Sequence, residues 1–184
     1  MAFDVDKKNI LGKEDKSMKG RVDSQIIKLV DTINSLNDYY TTSSCAGRVL
    51  LIVIKNQERA GVEYMCVSHS KADFSRIRKA LEKVPKEDVW FRQEEIILHV
   101  CCRNLEAARI MLNLARSNGL KHSGIISIKN KIIVEIMSIE KMNTLISRNG
   151  KVLVDDNYLK ILVKEANLKM AKNIERIKNL EKKI

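Results

Sequence analysis

The chain has 184 residues, 45% of them hydrophobic, one proline and a formal net charge of +11. Such a length and apolar content support one globular domain, and no Pro-rich or Gly/Ser-rich linker marks a boundary within 1–184. The one-sided charge points to a polyanionic partner, RNA or DNA first, and no apolar stretch has membrane-spanning length, so no membrane partner is expected.

Residues 1–20 read as a charged N-terminal arm, crowded with Asp4, Asp6, Lys7, Lys8 and Lys13. Asp15, Lys16 and Ser17, with Lys19 and Arg21, place a carboxylate, a hydroxyl and cations within one or two turns; a solvated charge run is the ordinary reading of such a cluster. A helix opens near Gly20 and carries an apolar stripe of Val22, Ile26, Leu29, Val30, Ile33 and Leu36, ended by Asn37-Asp38.

Two strands are predicted next, at about Tyr40–Ile54 and Val62–Ser68, joined by Asn56-Gln57-Glu58. The run Val49–Ile54 shows no alternation and reads as a strand buried on both faces. The polar octapeptide Thr41–Arg48 stands at its mouth. The hydroxyls of Ser43 and Ser44, the planar fork of Arg48 and the bare backbone of Gly47 suit an anionic ligand. A Ser/Thr-rich strand start with a surface arginine is the plainer reading of the same residues. His69 follows, in Ser68-His69-Ser70, after a strand and before the predicted helix cap Asp73. A histidine there can exchange a proton near neutral pH, or simply be a solvated loop residue. Phe74, Ile77, Leu81 and Val84 form the buried face of the helix, which Pro85 stops.

Val89–Phe91 and Ile96–Cys102 read as a further strand pair, with His99 as a packing residue. Arg103, at the strand end, has the placement of His69 and can pair a phosphate or lie on the surface. Asn104 caps a helix with Leu105, Ala108, Met111, Leu112 and Ala115 inward and Gly119 past its end. Ser123–Ile128 and Lys131–Ile139 read as a hairpin, and Thr144–Ser147 as a short strand before the turn Asn149-Gly150. Residues 155–184 read as a long C-terminal helix striped by Leu159, Leu162, Val163, Ala166, Met170, Ile174, Ile177 and Ile184.

These elements predict an α+β fold, with a mixed or antiparallel sheet built from strand-strand-helix units and a long C-terminal helix. Ser123-Gly124-Ile125-Ile126 echoes Ala46-Gly47-Arg48-Val49, so an internal duplication is one reading of the order. No G-x-G-x-x-G follows a strand and no phosphate-loop motif exists, so a Rossmann-type fold is not expected. Cys45, Cys66, Cys101 and Cys102 form no C-x-x-C pair; no metal site is expected, and the cysteines read as reduced residues of a cytoplasmic protein. An enzyme using a Cys45–His69 thiolate pair is an alternative, though no sequence feature places His69 beside Cys45.

Thr41-Thr42-Ser43-Ser44-Cys45-Ala46-Gly47-Arg48, with Ile33-Asn34 and Tyr39-Tyr40 before it, resembles the Y-x-T-S-S-C-S-G-R signature of the tRNA wybutosine-synthesizing protein 3 family, archaeal type. Ser68-His69, Leu98-His99-Val100 with Arg103, Ala115-Arg116 through Gly119, Ser123-Gly124, Tyr158-Leu159, Ala166-Asn167 and Asn173 extend the resemblance over essentially the whole chain. So do Phe3, Leu11, Lys13, Asp15, Ser17, Lys19-Gly20 and Asp23. Ala46 departs from the pattern, standing where the family has a serine; the missing hydroxyl is worth ~1 kcal/mol if it held ligand.

The resemblance implies a single methyltransferase-like domain over 1–184 that uses S-adenosylmethionine. Its substrate would be tRNA(Phe) with a wyosine-type tricyclic base 3′ of the anticodon, methylated at N4. On that reading His69 or Asp15 accepts the ring proton, and Ser17, Ser43, Ser44 and Arg48 hold the donor or a substrate group. Lys16, Lys19, Arg21 and Arg103 position the tRNA backbone, and Tyr39, Tyr40 and Tyr64 are the stacking candidates. A non-catalytic tRNA-binding module is the rival class, and a monomer fits either.

Overall fold

The computed structural model describes residues 2–12, 22–55 and 61–184. In chain order their elements are α1 (Ala2–Leu11), α2 (Ile27–Ser35), β1 (Tyr39–Cys45), β2 (Arg48–Ile54), β3 (Val62–Ser68), α3 (Phe74–Ala80) and β4 (Asp88–Glu94), then β5 (Ile97–Cys102), α4 (Leu105–Ser117), β6 (Gly124–Ser127), β7 (Ile132–Met137), β8 (Met142–Arg148), β9 (Lys151–Val152) and α5 (Asp156–Glu181). They divide into two compact units. The first comprises Met1–Ala46, Ile96–Ile139 and Asn173–Ile184, and the second Gly47–Glu95 and Glu140–Lys172.

The first unit holds a four-stranded antiparallel sheet in the order β1-β5-β7-β6. Pairing of Tyr39 with Cys102, Leu98 with Ile136 and Val100 with Val134 gathers these apolar side chains on one face. Helices α2 and α4 contribute Leu29, Ile33, Ala108, Met111 and Ala115 to the same core, at the three- and four-residue spacing of an amphipathic helix. Asn104 caps α4 by accepting the Ala107 N–H at 2.8 Å, and Gly119 takes a left-handed φ of 81° just beyond it. Tyr40 and Cys101 pair on the opposite face, where Phe3 of α1 lies 5.1 Å from the Tyr40 ring. Cys102 joins the core cluster and Cys101, equally buried, packs on the opposite face, in accord with their adjacent strand positions.

The second unit holds a five-stranded antiparallel sheet in the order β3-β2-β4-β8-β9. Strand β2 is interior, and Val49–Val53 are all buried, as the unbroken apolar run predicts. Val49, Leu51 and Val53 pack with Phe91, Ile146, Ile77 of α3 and Leu159, Val163 and Met170 of α5; each such side chain contributes about 1.5–3 kcal/mol of burial. Asp73 caps α3 through the Arg76 N–H at 2.9 Å. The helix ends at Ala80, ahead of Pro85, because the N–H groups of Leu81 and Glu82 turn back to the Arg78 and Lys79 carbonyls in tighter three-residue bonds. Asn149 and Gly150, with φ of 53° and 73°, form the two-residue turn between β8 and β9.

Two strand readings are corrected. The stretch Tyr40–Ile54 is not one strand: β1 ends at Cys45, Gly47 adopts φ 91°, and β2 begins at Arg48 in the other sheet. The buried Asp23 carboxylate accepts the Ala46 N–H at 3.0 Å, taking that amide out of any ladder. Nor do Val89–Phe91 and Ile96–Cys102 pair with each other. β4 pairs with β2 and β8, and β5 with β1 and β7. Apolar runs announce strands but not their partners. In α5, Leu159 to Met170 enter the second unit's core and Ile177 and Leu180 the first's. Asn173, not Ile174, takes the buried position between Met170 and Ile177, because alternating steps of three and four land there.

Candidate functional site

In the second unit the β2–β3 ladder closes at Val49–Ser68, so Arg48 and His69 come next at the same end of the two strands. Arg48 stands opposite Glu94 of β4. Its guanidinium pairs with the Glu94 carboxylate and lies 5.5 Å from the centroid of the Tyr64 ring. A carboxylate and an aromatic face thus orient this arginine.

His69 lies in the β3–α3 loop, whose shape is heavily constrained. The Ser68 hydroxyl is 3.1 Å from the Ser70 carbonyl and 3.4 Å from that of Lys71. Asn167 of α5 clasps Ala72 twice: its Oδ1 accepts the Ala72 N–H at 2.7 Å, and its Nδ2 donates to the Ala72 carbonyl at 3.0 Å. Asp73 then begins α3. A cavity of about 120 Å³ opens against this loop, with Val49, Cys66 and Ile77 among its apolar walls and Ser68, Lys71 and Arg76 among its polar ones.

In the first unit Ser43 and Ser44 lie on β1. Ser43 pairs with His99, and His99 with Glu135, whose carboxylate is 3.0 Å from the imidazole Nε2; these three share one sheet face. Ser44 pairs with Leu98 on the opposite face, so the two hydroxyls do not converge. A bulge between Thr41 and Ser43 is fixed by Asn34 of α2, which accepts the Thr41 N–H at 2.7 Å and donates to the Thr41 hydroxyl at 3.1 Å.

Arg103 is committed within the first unit. Its guanidinium contacts Asp4 at 2.6 and 3.2 Å, Asp38 at 2.7 Å and the Asn37 carbonyl at 2.9 Å, and lies 4.6 Å from the Phe3 ring centroid. The hydrogen bond from Arg103 holds the Asp4 carboxyl below its ordinary value. Arg103 therefore fastens α1 to the end of β5. Asp15, Lys16, Ser17, Lys19 and Arg21 lie outside the described residues.

Tyr39 and Tyr40 are buried, Tyr39 with its hydroxyl on the Ala107 carbonyl at 3.0 Å, so neither is open to a base; Tyr64 is 41% exposed. Burial pushes the Cys102 thiol up to about 12 and raises that of Cys101, which makes them inert packing residues. Asn167, Asn34 and Asp23 are positioning residues that the sequence offered only as points of resemblance, with no role attached. Their one local signal is a polar side chain set directly beside an apolar stripe or strand end.

This arrangement defines an α+β protein with two antiparallel sheets and a polar loop at a sheet end, outside the doubly wound class. Residues 5–184 match the family model described as Methyltransferase TYW3, and the chain belongs to that methyltransferase family. A tRNA(Phe) 7-((3-amino-3-carboxypropyl)-4-demethylwyosine(37)-N(4))-methyltransferase 1 of Pyrococcus furiosus is 39% identical over 168 residues, 90% of this chain and 86% of that protein. A tRNA wybutosine-synthesizing protein 3 homolog of Danio rerio is 36% identical over 181 residues, 96% of this chain and 72% of that protein. The solved PH1069 protein of Pyrococcus horikoshii superposes with a TM-score of 0.90 at 37% identity, covering 98% of this chain and 95% of its own. No helix among the described residues is long and apolar enough to cross a membrane.

Proposed function

We propose that the chain transfers a methyl group from S-adenosylmethionine to N4 of a wyosine-type tricyclic base 3′ of the anticodon in tRNA(Phe), working in the cytoplasm as one methyltransferase domain over 1–184. The observation that carries the reading is the placement of Arg48 and His69 at one end of the β2–β3 ladder in a chain of this family. The donor, when bound, supplies an activated methyl group, so the protein's task is alignment and proton removal. Hydroxyls and a guanidinium are the donor set a carboxylate takes, which makes Arg48, Ser17 and either Ser43 or Ser44, whose side chains leave opposite faces of β1, separate candidates for the methionine end or a substrate anion. His69 accepts the proton lost from the ring nitrogen, with Asp15 as the second candidate. Arg48 is already oriented by Glu94 and Tyr64, so little side-chain entropy is lost when it engages a ligand.

The cationic excess brings the tRNA, with Lys16, Lys19 and Arg21 on its backbone. Arg103 acts on the RNA through the docked α1, which it holds by Asp4 and Phe3. The test is methyl transfer by two variants. His69→Ala lowers kcat at unchanged donor affinity, and Arg48→Ala weakens binding of the donor or the tRNA. Full transfer by both would remove these assignments while leaving the family intact.

A further inference from the structure

We propose that the cavity against the β3–α3 loop of the second unit seats the zwitterionic head of a 3-amino-3-carboxypropyl group. The proposal rests on the methyl-transfer reading and adds a place and a chemistry to it. Two molecules in that reaction carry this group. S-adenosylmethionine bears it on sulfur, and the tricyclic base in the names of the archaeal relatives bears it at position 7.

Three observations converge on the cavity. First, its charge pattern is that of an amino-acid head site. Lys71 and Arg76 face a carboxylate, Asp73 supplies a carboxylate for the ammonium, and Ser68 and Ser70 add hydroxyls. The apolar walls formed by Val49 and Ile77 suit the connecting methylenes.

Second, Arg76 is uncommitted. Arg48, Arg78, Arg92, Arg103, Arg109, Arg116, Arg148 and Arg176 each have an internal partner, whereas the Arg76 guanidinium has no hydrogen bond or ion pair among the described residues. A cation left open at a cavity rim, in a chain that pairs its other described arginines, is placed for an anion from outside.

Third, the loop is preorganised. Asn167 fixes both polar groups of Ala72, and Asp73 fixes the start of α3, so the rim costs little to order when ligand arrives. At about 120 Å³ the space exceeds the ~10–15 Å³ that one water needs, and it accepts a small head group. His69 sits in the chain between the two lining serines, so a head group anchored here leaves the rest of its molecule beside the proposed proton acceptor.

The experiment uses the full chain in two arms. Calorimetry compares S-adenosylmethionine with 5′-methylthioadenosine, which lacks the group. Steady-state assays compare tRNA(Phe) carrying the N4-unmethylated tricycle with and without the aminocarboxypropyl side chain. Each is repeated for Arg76→Ala and Arg76→Lys, both at an exposed position where the fold is not at stake. If the seat serves the donor, Arg76→Ala weakens S-adenosylmethionine about tenfold and leaves methylthioadenosine unchanged. If it serves the acceptor, KM for the side-chain-bearing tRNA rises about tenfold and that for the bare tricycle does not. Arg76→Lys recovers part of either loss. Equal behaviour of Arg76→Ala and the wild type toward all four ligands overturns the proposal. A wild type that transfers no methyl to either tRNA overturns the reaction assignment instead, and calorimetry of S-adenosylmethionine, methylthioadenosine and the two tRNAs with wild type and Arg76→Ala then still decides the seat.

Discussion

Asn167→Ala isolates the loop that presents His69. The substitution removes two hydrogen bonds at once, the 2.7 Å bond from the Ala72 N–H and the 3.0 Å bond to its carbonyl, and Ala72 itself is only 6% exposed. Water cannot freely replace them, so each unsatisfied group costs about 1–3 kcal/mol. Partial relaxation of the loop brings the expected loss to about 2 kcal/mol, or a fall of about 4–8 °C in Tm for a chain of this size. The local readout is hydrogen exchange at the Ala72 amide, which accelerates about 30-fold for a 2 kcal/mol loss confined to the loop. Asn167→Asp keeps the acceptor and loses the donor, so it recovers the amide's protection in part. Methyl transfer falls because His69 is no longer held. An Asn167→Ala protein within ~0.5 kcal/mol of wild type, with Ala72 exchange unchanged, refutes the reasoning.

Asn34→Ala strips the Thr41 N–H of its acceptor at the β1 bulge and costs about 1–2 kcal/mol, read by denaturant unfolding and by faster exchange at Thr41. Tyr39→Phe deletes the buried bond to the Ala107 carbonyl and costs about 1 kcal/mol in the same measurement. The Asp4 pKa is lower in the folded chain than its ordinary 3.8, so its contribution to α1 docking is present above that value and is lost as pH falls through the lowered one. Exchange protection of α1 amides therefore drops in that acid window, while Arg103→Ala removes it already at neutral pH. Cys45→Ser retains most of the methyl-transfer rate, since no thiolate is formed in the proposed reaction; a rate at background would instead favour the Cys45 reading.

Much of the architecture is legible in the residues. The caps at Asp73 and Asn104 and the turn at Asn149-Gly150 follow from local rules and are formed as read, whereas the helix expected from near Gly20 begins only at Ile27, so Leu29, Val30 and Ile33 are helical and Val22 and Ile26 precede the helix. What local rules do not carry is strand partnership. Nothing in Thr41–Ile54 except Gly47 announces that its two halves join different sheets, and Gly47 reads equally well as room for a ligand. The candidate site shows the same division. His69 and Arg48 stand out by chemical type and strand-end position, whereas Asn167, nearly a hundred residues from the loop it clasps, stands in the sequence only as a point of resemblance, and its clasp is visible only in three dimensions. Arg103 shows the converse. Its strand-end position suggests a ligand contact, yet Asp4 and Asp38, distant in sequence, engage its guanidinium.

The deciding measurement is methyl transfer from labelled S-adenosylmethionine to two samples of tRNA(Phe), one bearing the N4-unmethylated tricyclic base and one with unmodified guanosine at that position. Label is expected in the first sample alone, mapped by nucleoside mass spectrometry to N4 of the tricycle. Salt-sensitive binding of both tRNAs with no label in either would contradict it and leave an RNA-binding module in its place.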